Sequence, residues 1–233
     1  YDTVAMNYRG CSGRSNKTLR TYHMGATDDL NIVIEHVLEE YENVVLLGFS
    51  MGGNLITKYL GEKVYNTFQN ILCAIVISTP FDLKAAAVIM EKGSNFIYMK
   101  RFLIKLHKKL KLKAQQFPGE IDLTGYGKIK NFRQFDEKYT APLHGFTSAE
   151  KYWALCSSGQ FLSCIQTPLL IISAKDDPFL DRSTFPFESI EANKNIQFIL
   201  TDHGGHVGFA SFDKVLWHEQ LVLTILHSVA KKS

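Results

Sequence analysis

The stretch NVVLLGFSMGGN, residues 43 to 54, decides the fold. Val44 to Leu47 and Phe49 make a short apolar run of strand type, and the run ends on Ser50, with Gly48 two residues before it and Gly52 two residues after. Packing alone gives a buried run no reason to end on a hydroxyl. A sharp corner does. Where a strand turns at once into a helix, the corner residue is forced into a strained backbone conformation, and side chains two residues to either side would collide with the neighbouring elements. Glycine at both places removes the collision, and Gly53 adds room for close helix packing. The pattern alone recurs by chance in roughly one chain in a dozen of this length, given average glycine and serine usage. Its setting, a strand directly before and a helix directly after, makes Ser50 a candidate nucleophile rather than an inert turn serine. A phosphate-cradling loop is excluded, because no Gly-Lys-Ser/Thr follows.

Working outward, strand and helix signals alternate. Val4 to Tyr8 reads as a first strand. Thr27 reads as an N-cap, with Asp28 and Asp29 in the first turn, where carboxylates suit the helix dipole. Leu30, Val33, Ile34, Val37, Leu38 and Tyr41 then form one apolar stripe. A helix is expected from about Gly52 to Val64. Strands follow at Ile71–Thr79, Pro168–Ala174 and Ile196–Asp202. A last helix carries Val215, Leu216, Leu221, Val222, Ile225 and Leu226. Near-continuous apolar strands separated by helices indicate an α/β fold, a mostly parallel sheet covered on both faces. Residues 82–150 break the alternation with helical patches and basic runs, and read as a cap inserted into a single domain spanning 1–233. The chain opens on what reads as a strand already under way, so further strands are expected upstream of Tyr1.

The bulk numbers narrow the field. The 233 residues are 45% hydrophobic and 21% charged. That is ordinary for a globular chain with one sizeable core. A formal net charge of +3 does not call for nucleic acid. No segment reaches the roughly 18 to 20 apolar residues that span a membrane. Cys11, Cys73, Cys156 and Cys164 form no CxxC pair. They read as free thiols of a reducing compartment.

A serine hydroxyl is a poor nucleophile until a base takes its proton and an acid orients the base. At such a corner the chain order is Ser, then acid, then His, the last two on loops after later strands. ISAKDDPFLD and LTDHGGHVGF supply both. Asp176 and Asp177 compete for the acid, with Asp177, the turn residue before Pro178, favoured. His203 and His206 compete for the base, with His206 favoured because Gly204 and Gly205 let a loop swing it over Ser50. The same two glycines argue against a metal pair at His203 and His206. The backbone N–H of Met51 is the expected oxyanion donor. A second donor is expected from a loop ahead of Tyr1, so the 233-residue chain alone is expected to hydrolyse esters poorly. His23 reads as a locally satisfied histidine and Asp136 as a structural carboxylate outside any strand-end loop. The basic stretch at 99–115, MKRFLIKLHKKLKLKAQ, reads as a cap helix with a solvated face, and contact with an anionic membrane surface is a second reading of it.

NYRGCSG at 7–13, YHMGATDDL at 22–30, GFSMGGN at 48–54, DDPF at 176–179 and GGHVGF at 204–209 together resemble the YheT-like branch of the alpha/beta-hydrolases, which includes animal esterases and phospholipases. FDEKYTAPLHGF at 135–146 and AEKYW at 149–153 resemble its cap segment. The resemblance implies serine ester hydrolysis of acyl lipids or phospholipids without metal or organic cofactor. It implies Ser50, Asp177 and His206 as the triad, and supports Asp177 over Asp176 because the family's acid directly precedes Pro-Phe. It also implies an N-terminal membrane anchor. Two rivals remain: an acyltransferase using the same acyl-enzyme, which product analysis with an added acceptor would separate, and a catalytically silent binding protein.

Overall fold

The computed structural model describes residues 2–62, 69–211 and 214–231. In chain order the elements are α1 (Thr27–Leu38), β1 (Val44–Phe49), α2 (Met51–Glu62), β2 (Ile71–Ile77), α3 (Leu83–Met90), α4 (Phe96–Gln116), α5 (Phe132–Phe135), α6 (Ala141–Leu143), α7 (Ala149–Cys156), β3 (Leu169–Ala174), α8 (Phe187–Glu191), β4 (Ile196–Thr201) and α9 (Trp217–Ala230). They fall into two compact units, Tyr1–His23 with Leu83–Cys156, and Met24–Asp82 with Ser157–Ser233.

The second unit holds the sheet. Its four strands run in the order β1-β2-β3-β4, and all three pairings are parallel. Ile75, Ile77, Ile172 and Ala174 point to one face, where Val222, Leu221, Ile225 and Leu226 of α9 cover them. Val76 points to the other, against Gly53 of α2. Burial on both faces explains why β2 and β3 are apolar without alternation.

Several expectations shift at their edges. Val4–Tyr8 forms no strand: residues 2–5 are exposed, and among the described residues no strand pairs with them, so the segment has no ladder to join. Thr27 does not cap α1. Its hydroxyl donates to Glu62 Oε2 at 2.6 Å, a charged acceptor that binds it more strongly than a backbone group would. The expected end of α2 at Val64 lies outside the described residues. α9 begins after Leu216, whose N–H is held by the Glu219 carboxylate at 2.9 Å.

In the first unit, α4 buries Met99, Leu103 and Leu110. Lys113 departs from the reading of its basic residues as one solvated face. It is buried, and its ammonium donates to the carbonyls of Asn16 at 2.7 Å and Thr18 at 2.5 Å, while burial pulls its pKa down. Lys109 is also engaged, its ammonium lying 4.5 Å from the centre of the Tyr22 ring, close enough for attraction to the ring face.

Asp136 opens one turn of π-helix, Asp136–Thr140, in this unit. Trp153 Nε1–H donates to its carboxylate at 2.9 Å and the Thr140 hydroxyl at 2.6 Å. Burial nevertheless dominates and raises its pKa from 3.8 to about 6, against those two hydrogen bonds. The folded form therefore holds a proton that the unfolded chain has already lost between pH 4 and 6. That contribution to stability is complete below about pH 4 and is lost as pH rises through 6, about 3 kcal/mol in all. Asp136→Asn is expected to remove this slope. In urea unfolding, the variant should gain about 3 kcal/mol on the wild type between pH 4 and pH 7.

Candidate active site

β1 ends at Phe49 and α2 begins at Met51, so Ser50 alone makes the corner. Its φ is 49°, in the left-handed region that a non-glycine residue adopts only under constraint. Two backbone hydrogen bonds supply that constraint. Ser50 N–H donates to Ile77 O at 2.8 Å, and Asn54 N–H donates to Ser50 O at 3.1 Å. A Cβ on Gly48 would lie 2.6 Å from the carbonyl carbon and oxygen of Gly52, and one on Gly53 would lie 2.0 Å from Thr79 Oγ1. Glycine at these positions lets strand and helix meet over a single residue.

Asn54 reinforces the corner. It is fully buried. Its amide donates to Met24 O at 2.9 Å and accepts from Ser158 N–H at 3.0 Å, tying the first turn of α2 to two distant loops. Sequence reasoning missed it, although a buried amide on the apolar side of a helix is a signal in itself.

Asp177 and His206 arrive on the loops after β3 and β4. Asp177 is buried, its side chain fully so. Its Oδ1 accepts from Phe179 N–H at 2.8 Å. His206 Nδ1 lies 2.8 Å from Asp177 Oδ2 and 3.1 Å from Oδ1. An ionised carboxylate only accepts, so Nδ1 carries the ring proton and Nε2 is left as an acceptor. Nε2 lies 2.9 Å from Ser50 Oγ. The Phe179 ring packs 4.7 Å from the imidazole, centre to centre. The result is a continuous relay from a buried carboxylate through an imidazole to a hydroxyl, an arrangement that can pass a proton from the hydroxyl to the ring.

The competing residues stand elsewhere. His203 is almost fully exposed, 3.5 Å from Asp176 Oδ2. Asp176 Oδ1 accepts from Gly204 N–H at 2.9 Å and Gly205 N–H at 2.8 Å. These bonds, Gly205 foremost, hold its pKa below the usual carboxylate value. Asp136 belongs to the other unit and binds Trp153 and Thr140. His23, also in that unit, lies with its ring 4.5 Å from that of His144 and its Nδ1 3.8 Å from Cys156 Sγ. Among the described residues, no group of three or more His, Cys, Asp or Glu side chains could hold a metal ion. Met51 is the first residue of α2, so its N–H lies in a turn whose donors have no acceptor within the helix.

Residues 1–213 match the family model described as alpha/beta hydrolase fold. The Escherichia coli protein named "Putative esterase YheT" is 35% identical over 225 residues, 94% of this chain and 64% of its own length. The Mus musculus protein named "Phospholipase ABHD3" is 32% identical over 212 residues, 90% of this chain and 51% of its own. The chain thus spans between half and two thirds of the length of these relatives. Among solved structures, the Pyrococcus furiosus esterase Pf2001 superposes with a TM-score of 0.55 at 16% identity, covering 97% of this chain and 68% of that one, which bears on the fold alone.

Proposed function

The chain belongs to the alpha/beta hydrolase fold family, and we therefore propose that it carries the active centre of a serine carboxylic-ester hydrolase acting on acyl lipids. The unbroken relay Asp177–His206–Ser50 carries this reading. Ser50 Oγ attacks the ester carbonyl carbon while its proton passes to His206 Nε2. The carbonyl oxygen takes up the negative charge and faces Met51 N–H at the positive end of α2. Asp177 holds the imidazolium that forms. As the intermediate collapses, the ester bond breaks and the leaving alcohol takes the proton from Nε2. Water then attacks the acyl-enzyme, again giving a proton to His206, and the acid departs as that proton returns to Ser50 Oγ. In this reading residues 1–233 form one hydrolase domain with 82–150 as its cap. A relative named as a phospholipase supports the substrate class. The full-length protein, incubated with phosphatidylcholine or monoacylglycerol vesicles, should release free fatty acid in proportion to enzyme. Failure to release acid from these or from short-chain aryl esters would contradict the proposal.

The outer face of α4 supports a lipid surface as the place of action. Among the described residues no helix is long and apolar enough to cross a membrane. On α4, Ile97, Ile104 and Leu112 stand 60%, 50% and 57% exposed. At helical spacing they share one face with Arg101, Lys105, Lys108 and Lys111, and α4 carries no acidic residue. Apolar anchors set among cations suit the interface of an anionic bilayer. At about 1 kcal/mol per cation, charge reversal of Lys105, Lys108 and Lys111 to Glu should weaken binding to vesicles containing phosphatidylserine by a hundredfold or more. Unchanged vesicle binding would remove the lipid-surface role.

A further inference from the structure

Asp176 makes two hydrogen bonds in which a single carboxylate oxygen takes the backbone N–H groups of Gly204 and Gly205. His206 follows directly in the chain. Gly205 has φ 59°. The two successive N–H groups thereby turn inward and form a small concave nest of the kind that binds anions. The loop has two further ties: the Thr201 hydroxyl donates to His203 O at 2.9 Å, and Phe209 N–H donates to Gly204 O at 2.8 Å. Gly204 also has no room to move inward, since a Cβ there would meet the Phe209 ring at 2.6 Å and Ala174 at 2.9 Å. Thr201 and Asp176 both hold the His203–Gly204 peptide group, and Asp176 alone among these ties also takes Gly205 N–H, in the peptide group nearer the base.

Reading Ser50, His206 and Asp177 as the catalytic triad, we infer that Asp176 is a positioning residue that fixes the His206 loop through the Gly204–Gly205 nest. Adjacent carboxylates on one loop thereby divide the work. Asp177 orients the imidazole ring, and Asp176 orients the backbone from which the ring projects. A ring held by only one of them can still reach Ser50, but it spends less time at the 2.9 Å approach on which proton transfer depends. The effect falls on turnover and leaves substrate affinity alone, because Asp176 has no part in the proposed binding of the ester.

The test compares full-length wild type with Asp176→Ala, Asp176→Asn and Ser50→Ala, using p-nitrophenyl butyrate hydrolysis and the rate of fluorophosphonate labelling, with melting temperature as a check on folding. Asp176→Ala should lower kcat by about tenfold to a hundredfold at unchanged KM and slow labelling by a similar factor. Asp176→Asn keeps an amide oxygen able to accept both N–H groups and should stay within about threefold of wild type. If the alanine variant does not fold, Asp176→Ser takes its place with the same expected loss, its side chain being too short to bridge both donors. Wild-type kcat in the alanine or serine variant would overturn the inference, as would an asparagine variant as slow as alanine. Ser50→Ala separates the two levels. If it is dead while Asp176→Ala is fully active, only the positioning role falls. If it still turns over, the triad falls and the inference with it.

Discussion

Ser50→Ala in the full-length protein is expected to lower ester hydrolysis by about a millionfold in kcat, the scale seen when the nucleophile of such a triad is removed. The fold should survive. The backbone bonds that shape the corner, Ser50 N–H to Ile77 O and Asn54 N–H to Ser50 O, involve no side-chain atom. The corner residue keeps its φ of 49°, where alanine is about as strained as serine, so the melting temperature should move little. Steady-state hydrolysis of a p-nitrophenyl ester, with circular dichroism as control, checks both halves. Activity within tenfold of wild type would mean that the hydroxyl held by His206 is not the attacking group.

Asp177→Asn is expected to cost about four orders of magnitude in kcat, although the two side chains are nearly isosteric. The reason lies in which oxygen does what. Oδ1 accepts from Phe179 N–H, so the amide oxygen of asparagine should keep that place. The amide nitrogen then occupies the Oδ2 position, 2.8 Å from His206 Nδ1. A donor at this nearer position outweighs the acceptor left at 3.1 Å and favours the other tautomer, with its proton on Nε2 facing Ser50, where it cannot accept one. The same substitution one residue earlier, Asp176→Asn, should cost no more than about threefold. A pair of adjacent, chemically identical changes differing more than a thousandfold in effect would separate orienting the ring from anchoring its loop.

Much of this arrangement is legible without the structure. The parallel sheet can be read because strands buried on both faces, such as Ile71–Ile77, carry apolar residues almost without interruption. The corner can be read because steric crowding around Ser50 leaves a mark at fixed offsets, and Gly48 accounts for it with a 2.6 Å approach to Gly52. Composition separates Asp176 from Asp177 only weakly, through the place of Asp177 before Pro178. In the fold they differ in the direction each side chain leaves the turn after β3, and the motif resemblance favours Asp177. Sequence alone misplaces Lys113 on a solvated face because its partners, the carbonyls of Asn16 and Thr18, lie about a hundred residues away in the chain. Val4–Tyr8 misleads for the opposite reason: its composition suits a strand, but a strand exists only where another pairs with it.

The central claim is that one activated oxygen does the chemistry, and mass spectrometry of the full-length protein after treatment with a fluorophosphonate probe tests it most directly. The account predicts a single stoichiometric adduct on the peptide containing Ser50, formed rapidly in the wild type and at least a thousandfold more slowly in Asp177→Asn. An adduct on another residue, or none on a folded protein, would contradict it.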